Sequence, residues 1–305
     1  MVSVIVIGAL VSIIIIFALA AVGGMVSEKA GVINLSIEGF MTIGAISYAV
    51  FANLPSVKNI LAYQWLLFPL AGLFGSVFAI IYALATVKLK ANQTIAGIAL
   101  NALAVAISFF IIKLKKTSEI EMQPYLWTLG ENNQSFVWIF NIAVFLGLPM
   151  IGLVIVVLNY TKFGKLIKAV GENPDAAATL GVRVEWIQIK AVVFSAFFSA
   201  LAGAIYAQNI SGYFHGTTQG AGFLAVALVI FGQWKPSLIL LGSIIFGSIY
   251  AIINNATLIP VLNTIEGTDL LHTIPYLLST LVLIFSSRHS RAPRSLGIPY
   301  SIQGR

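Results

Sequence analysis

Residues 2 to 22 carry no charged side chain, and the first charge in the chain is Glu28. At about 1.5 Å per residue, such a run covers the roughly 30 Å of hydrocarbon in a bilayer. A backbone at that depth has no water to bond to, so only helices or a closed barrel are open to it, and runs of this length select helices. Further apolar runs at about 35–52, 61–86, 95–112, 136–158, 191–208, 216–232, 237–254 and 272–286 bring the expected crossings to nine. Two are weak: 35–52 holds Glu38, and 216–232 is short and opens with glycines, so either suits a broken or re-entrant segment. Charged residues make up only 9% of the 305, against about 25% in soluble domains, so the expected fold class is an all-α polytopic membrane protein forming one transmembrane domain over 1–305. Ala18, Leu19 and Ala20 look like a signal-peptidase site, but no basic stretch precedes them, and the run reads as a retained helix.

One stretch breaks the pattern. Residues 159–190, NYTKFGKLIKAVGENPDAAATLGVRVEWIQIK, form a polar interlude whose centre reads as a short capped helix. Asn173 suits the N-cap, Pro174 the first helical position, Asp175 the positive end of the dipole, and Gly181 the left-handed position after the last turn. A helix this short is not stable alone and rests either on a partner or on its own chain as a well-capped solvated loop. With this loop in the cytoplasm, nine crossings place the N-terminus outside and the C-terminus inside. The inner segments then hold Lys29, Lys88, Lys90, Lys162, Lys165, Lys168, Arg183, Lys190, Lys235, Arg288, Arg291, Arg294 and Arg305, thirteen of the 17 basic residues. The outer ones hold Lys58, Lys113, Lys115 and Lys116, in keeping with the positive-inside rule. A basic cytoplasmic tail, 287–305, could also touch anionic lipid. The outer stretch 113–135, with Glu119, Glu121, Glu131 and Trp127, and with Trp138 just beyond, reads as an interfacial amphipathic segment or as a docking surface for a substrate-binding protein.

Polar residues inside the apolar runs are the candidates for a solute path. Asn34, Glu38 and Thr42 share one helix face, and an acid this close to hydrocarbon is a functional candidate; the alternative is that Asn34 caps the helix and Glu38 complements its positive end. Gln93, Gly97 and Asn101 share another face, where Asn101 meets a polar cavity or bonds to a neighbouring helix. Ser195, Ser199 and Gly203, with Ala196, Ala200 and Ala204, form small-residue ridges suited to close helix packing. Tyr206, Gln208 and Asn209 follow, with a lone His215 read as a solvated loop residue, while His272 lies at another margin.

Five of these segments carry a resemblance. AVGENPDAAATLGV resembles the cytoplasmic coupling helix of permease subunits in the branched-chain amino acid, ribose and nucleoside branch of ABC importers. GVINLSIEGFMTIGA, ANQTIAGIALNALA, GAGFLAVALVIFGQWKP and the terminal IPYLLSTLVLIFSSRHSRAPRSLGIPY resemble signatures of its nucleoside-type members, together reaching from residue 23 to 300. The chain departs from the family at Ala221, where members usually carry Arg. The resemblance implies that Gly171, Glu172, Asn173, Pro174, Asp175, Ala176, Ala177, Leu180 and Gly181 meet an ATP-binding cassette ATPase; from their place on the helix faces, Asn34, Glu38, Thr42, Gln93, Asn101, Tyr206 and Phe223 are expected along the solute path. It also implies a second permease subunit, a related chain or a second copy, and an extracytoplasmic substrate-binding protein or lipoprotein, all at the cell membrane.

Absences narrow the chemistry. With no cysteine the chain has no thiolate metal site and no Cys nucleophile, and its formal charge of +7 is met by basic loops without a nucleic-acid partner. No G-x-x-x-x-G-K-[ST], H-E-x-x-H or G-x-S-x-G occurs, so no catalytic or metal residues are assigned, and ATP and Mg are expected on the partner ATPase. The spans carry Glu38 and His272 only at their margins, which disfavours a proton-coupled carrier or channel. An apolar path with scattered amides, hydroxyls and tyrosines suits a neutral hydrogen-bonding solute, a nucleoside or, alternatively, a ribose-type sugar.

Overall fold

The computed structural model describes residues 2–58, 61–122, 142–209, 213–255, 271, 273–286 and 291–301. Glu131, Trp127, Trp138, His272, Arg288 and Arg305 lie outside them. The helices are α1 (Val2–Lys29), α2 (Ile37–Ala52), α3 (Pro55–Lys58), α4 (Leu61–Ala83), α5 (Gln93–Leu114), α6 (Leu148–Tyr160), α7 (Lys162–Glu172), α8 (Pro174–Thr179), α9 (Val184–Asn209), α10 (Ala221–Phe231), α11 (Pro236–Asn254) and α12 (Ile274–Ser286). Among the described residues, two π-helical stretches, Leu84–Lys88 and Ala143–Gly147, extend α4 and lead into α6. Besides the helices, among the described residues, Ile120–Glu121 and Tyr213–Phe214 pair as short antiparallel strands β1 and β2, with Ile120 opposite Phe214. His215, read from sequence as a solvated loop residue, follows that ladder, its Nδ1 3.1 Å from Glu119 Oε2.

Six described helical segments are long and apolar enough to cross a membrane: Val6–Lys29, Trp65–Lys88, Gln93–Leu114, Ala143–Tyr160, Val184–Asn209 and Pro236–Asn254. The two weak runs of the sequence become the shorter helices α2 and α10, of 16 and 11 residues. At about 1.5 Å per residue, α10 reaches only about 16 Å, roughly half the hydrocarbon thickness.

Helices α1 and α9 form the centre. α9 packs against α1, α2 and α4, while α1 also carries α6, α10 and α11. The small-residue ridge of α9 is what admits its neighbours. A Cβ on Gly44 would lie 1.9 Å from the Ala200 carbonyl oxygen, and one on Gly203 would lie 2.0 Å from that of Met41. Backbones at such separations leave no room for side chains between them, so this contact is made of main chain and van der Waals packing. α9 begins seven residues before the apolar run that marks it in the sequence. Val184, Ile187 and Gln188 are buried there while Glu185 pairs with Lys88, so the helix continues as an amphipathic extension that hydropathy alone does not register.

Candidate functional site

The chain is interrupted between α1 and α2, and the polar groups released there are satisfied by distant helices. Gln93 Oε1 accepts from the Ile33 amide at 2.7 Å, and Tyr82 donates its hydroxyl to the Ile33 carbonyl at 2.5 Å. Asn101 Oδ1 accepts from the Gly39 amide and its Nδ2 donates to the Leu35 carbonyl, both at 2.8 Å. The first amides of a helix have no partner within it, so Asn101 acts as a cap for α2 supplied by α5. Asn34 does not cap α2. Its Nδ2 donates to Ser195 Oγ at 2.8 Å, and Ser36 occupies the cap position without a side-chain bond.

Glu38 reaches the start of α10. Its Oε1 accepts from Thr218 Oγ1 at 2.8 Å and the Gly220 amide at 3.0 Å, and its Oε2 accepts from the Gly222 amide at 2.7 Å. A carboxylate at a helix start meets both the free amides and the positive end of the dipole. The approach demands glycine: a Cβ on Gly222 would lie 2.4 Å from the Glu38 backbone nitrogen and Cα. At the other end of α10, Trp234 Nε1 donates to Glu28 Oε2 at 2.6 Å, while the Asn34 amide donates to Glu28 Oε1 at 3.3 Å. Sequence reasoning noted Glu28 only as the first charge. The missed signal was an acid inside an apolar helix facing a tryptophan in the W-x-P turn.

Beside the start of α10 lies a cavity of about 170 Å³, lined among the described residues by the uncharged Gln219, Tyr250, Ile253, Asn254, Pro275 and Tyr276. Tyr206 Oη sits 3.4 Å from both Gln219 Oε1 and Tyr250 Oη, and Tyr276 donates its hydroxyl to the Gln219 carbonyl.

The polar interlude folds as α7 and α8. Thr161 caps α7 by accepting from the Gly164 amide, and Asn173 Oδ1 caps α8 by accepting from the Ala176 amide at 2.9 Å. α8 closes with paired bonds, Gly181 N–H to the Ala178 carbonyl and Val182 N–H to that of Ala177, with Gly181 at φ 82°. These are the two bonds of a Schellman ending, in which glycine tolerates the left-handed backbone. Asp175, Ala176, Thr179 and Leu180 face solvent, Leu180 at 84% exposure, and a groove of about 880 Å³ runs beside them. Ala177 faces inward at 4%.

Residues 6–287 match the family described as the branched-chain amino acid transport system permease component. The chain belongs to this family. This permease is 32% identical over 293 residues to the guanosine ABC transporter permease protein NupQ of Bacillus subtilis, covering 92% of each chain. It is 33% identical over 291 residues to the nucleoside ABC transporter permease protein NupC of Lactococcus lactis, covering 92% of this chain and 91% of that one. NupB of the same Lactococcus strain, also named a nucleoside ABC transporter permease protein, is 26% identical over 243 residues, 75% of this chain and 66% of its own. No solved structure matches the chain. As a permease with six long apolar helices, it is a multi-pass protein of the cell membrane.

Of the seven residues expected along the solute path of this permease, six are sealed between its own helices: Asn34, Glu38, Thr42, Gln93, Asn101 and Tyr206, none above 6% exposure. Phe223 alone is open, at 48%, one residue beyond the Glu38 contact. Glu38, Thr218, Gly222 and Phe223 are brought together at the start of α10; Gln93 and Asn101 instead bind the break between α1 and α2. Thr42 Oγ1 and Asn34 Oδ1 are buried with no hydrogen-bond partner among the described residues. Residues 291–301 of the permease's tail pack back onto its helices. Ser295 donates from both N–H and Oγ to the Gly171 carbonyl, at 3.0 and 2.7 Å, and Gly297 donates its amide to the Gly31 carbonyl at 3.1 Å. Tyr300 then joins the groove beside α8.

Proposed function

We propose that this permease is one of two membrane-spanning subunits of an ABC importer that carries nucleosides into the cell. The observation that carries the reading is full-length similarity, at 32–33% identity, to two permeases named for guanosine and for nucleosides. The tyrosines, glutamine and asparagine that line this cavity among the described residues support a neutral solute that is held by hydrogen bonds and ring contacts.

In this reading the short helix Pro174–Thr179 is the cytoplasmic coupling element, and an ATPase subunit seats against Asp175, Ala176, Thr179 and Leu180. The N-terminus lies outside, the C-terminus inside, and α2, α10 and α12 complete nine membrane segments around the six long ones. Closure of the ATPase pair moves α7 and α8, which bear on α1 where Gly171 touches the Lys29 carbonyl, and the change reaches α10 through Glu28 and Glu38. The second permease is a related but different chain, an assignment supported by NupB and NupC from one organism. An extracytoplasmic binding protein delivers the solute.

The test is purification of the tagged chain from its native membrane in mild detergent, followed by reconstitution with whatever accompanies it. The expected companions are an ATPase and a second permease, with ATP-dependent guanosine uptake into vesicles. Uptake by the chain alone without ATP would overturn the assignment.

A further inference from the structure

Four cations from four separate stretches of chain converge on one small cleft on the side of the molecule that carries α7 and α8. Lys29 ends α1, Lys168 lies on α7, Lys235 follows the turn after α10, and Arg291 belongs to the tail; together with Glu172 and Trp234 they line a cavity of about 170 Å³. Among the described residues, four positive charges against one negative leave a formal +3 in that space. None of the four cations lies within ion-pair distance of a carboxylate among the described residues, where the ion pairs are Lys88 with Glu185 and His215 with Glu119. Lys168 is held by Asn159, whose Oδ1 accepts from its Nζ at 2.9 Å. The floor of the cleft is rigid. Gln233 and Trp234 adopt left-handed backbone angles, φ 48° and 55°, and Trp234 is pinned by its bond to Glu28. Non-glycine residues rarely adopt that conformation, and it persists where the surroundings enforce it.

Like charges gathered in a small cavity repel unless a counter-charge joins them, and the position at the end of an apolar span is where headgroup phosphates lie. We infer that this cleft binds a phosphate group, supplied by an anionic phospholipid headgroup or by free phosphate. A bound phosphate ties the end of α10 to α7 and the tail, adding to the links through Glu28 and Ser295.

Native mass spectrometry of the full chain, offered equal phosphatidylglycerol and phosphatidylcholine, tests the lipid source, and a phosphorus-31 NMR titration with inorganic phosphate tests the free ion. The double variant Lys235→Gln/Arg291→Gln is expected to lose at least tenfold in phosphate-group affinity, about fivefold for each cation. The charge-matched control Lys162→Gln/Lys165→Gln is expected to keep it. All four positions are exposed, so the three chains are expected to share one size-exclusion profile. Should the double variant fail that check, Arg291→Gln alone reads the fivefold loss. Selective loss of phosphatidylglycerol assigns a headgroup, and loss of inorganic phosphate without lipid selectivity assigns the free ion. Equal losses in the cleft variant and the control, or no binding of either probe by the unaltered chain, would overturn the inference.

Discussion

Glu28 and Glu38 hold opposite ends of one short helix. Glu38 takes three bonds from Thr218, Gly220 and Gly222 where α10 begins, and Glu28 takes the Trp234 indole where it has ended. A helix of 11 residues covers about half the hydrocarbon, so with its far end beside the exposed Lys235 its start lies at a depth where unmet polar groups cost several kcal/mol each. The two acids, ten positions apart, supply what water would supply elsewhere.

Replacing Glu38 with Gln turns one acceptor oxygen into a donor facing other donors. A loss of about 1–3 kcal/mol is expected at the start of α10. Uptake per folded complex should fall at least tenfold; unchanged uptake would remove Glu38 from any part in positioning that helix.

Asn101→Leu leaves the Gly39 amide and the Leu35 carbonyl without their partner. Since both faces of the amide are already used inside the chain, folded yield and uptake should drop together. A variant that assembles normally yet fails in transport would place Asn101 on the solute path instead.

Glycines separate by what surrounds them. Gly44→Ala meets a backbone oxygen at 1.9 Å that no rotamer change can move, whereas Gly152→Ala in α6 meets nothing within 4 Å. Thermal unfolding in detergent should show Gly44→Ala severely destabilised and Gly152→Ala unchanged or slightly more stable, by up to about 1 kcal/mol.

On α8, Leu180→Asp changes an 84% exposed side chain and Ala177→Arg a buried one. The first should leave the permease folded while abolishing stimulated ATP hydrolysis by its partner. The second should lower folded yield as well. Full coupling in Leu180→Asp would exclude that surface from ATPase contact.

Cysteine placed at the exposed Asn173 of this cysteine-free chain gives one labelling site. A membrane-impermeant maleimide should react only after the cytoplasmic face is opened. Reaction in sealed cells would reverse the orientation.

Local features of this fold were legible and long-range ones were not. The cap at Asn173, the left-handed Gly181 and the α9 ridge follow from short spacings, and each is present. The weakness of 35–52 was likewise visible in its Glu38, and that of 216–232 in its short length and opening glycines. What hydropathy cannot carry is pairing at a distance: the Trp234 bond to Glu28 joins positions 206 apart, and no periodicity announces it. Asn34 looked like a cap because caps are local, yet its amide group goes to Ser195, 161 positions away. The α9 start was missed for a different reason, since an amphipathic extension outside the apolar phase resembles a loop in composition.

The clasp of Ser295 on Gly171 also orders events during synthesis. Its two halves are 124 residues apart, so at about 5–20 residues per second the seat beneath α7 and α8 stays incomplete for roughly 6–25 seconds after those helices emerge from the ribosome. A chain interrupted within that interval lacks the clasp, and translation that stalls late leaves α7 without the tail that packs against its end.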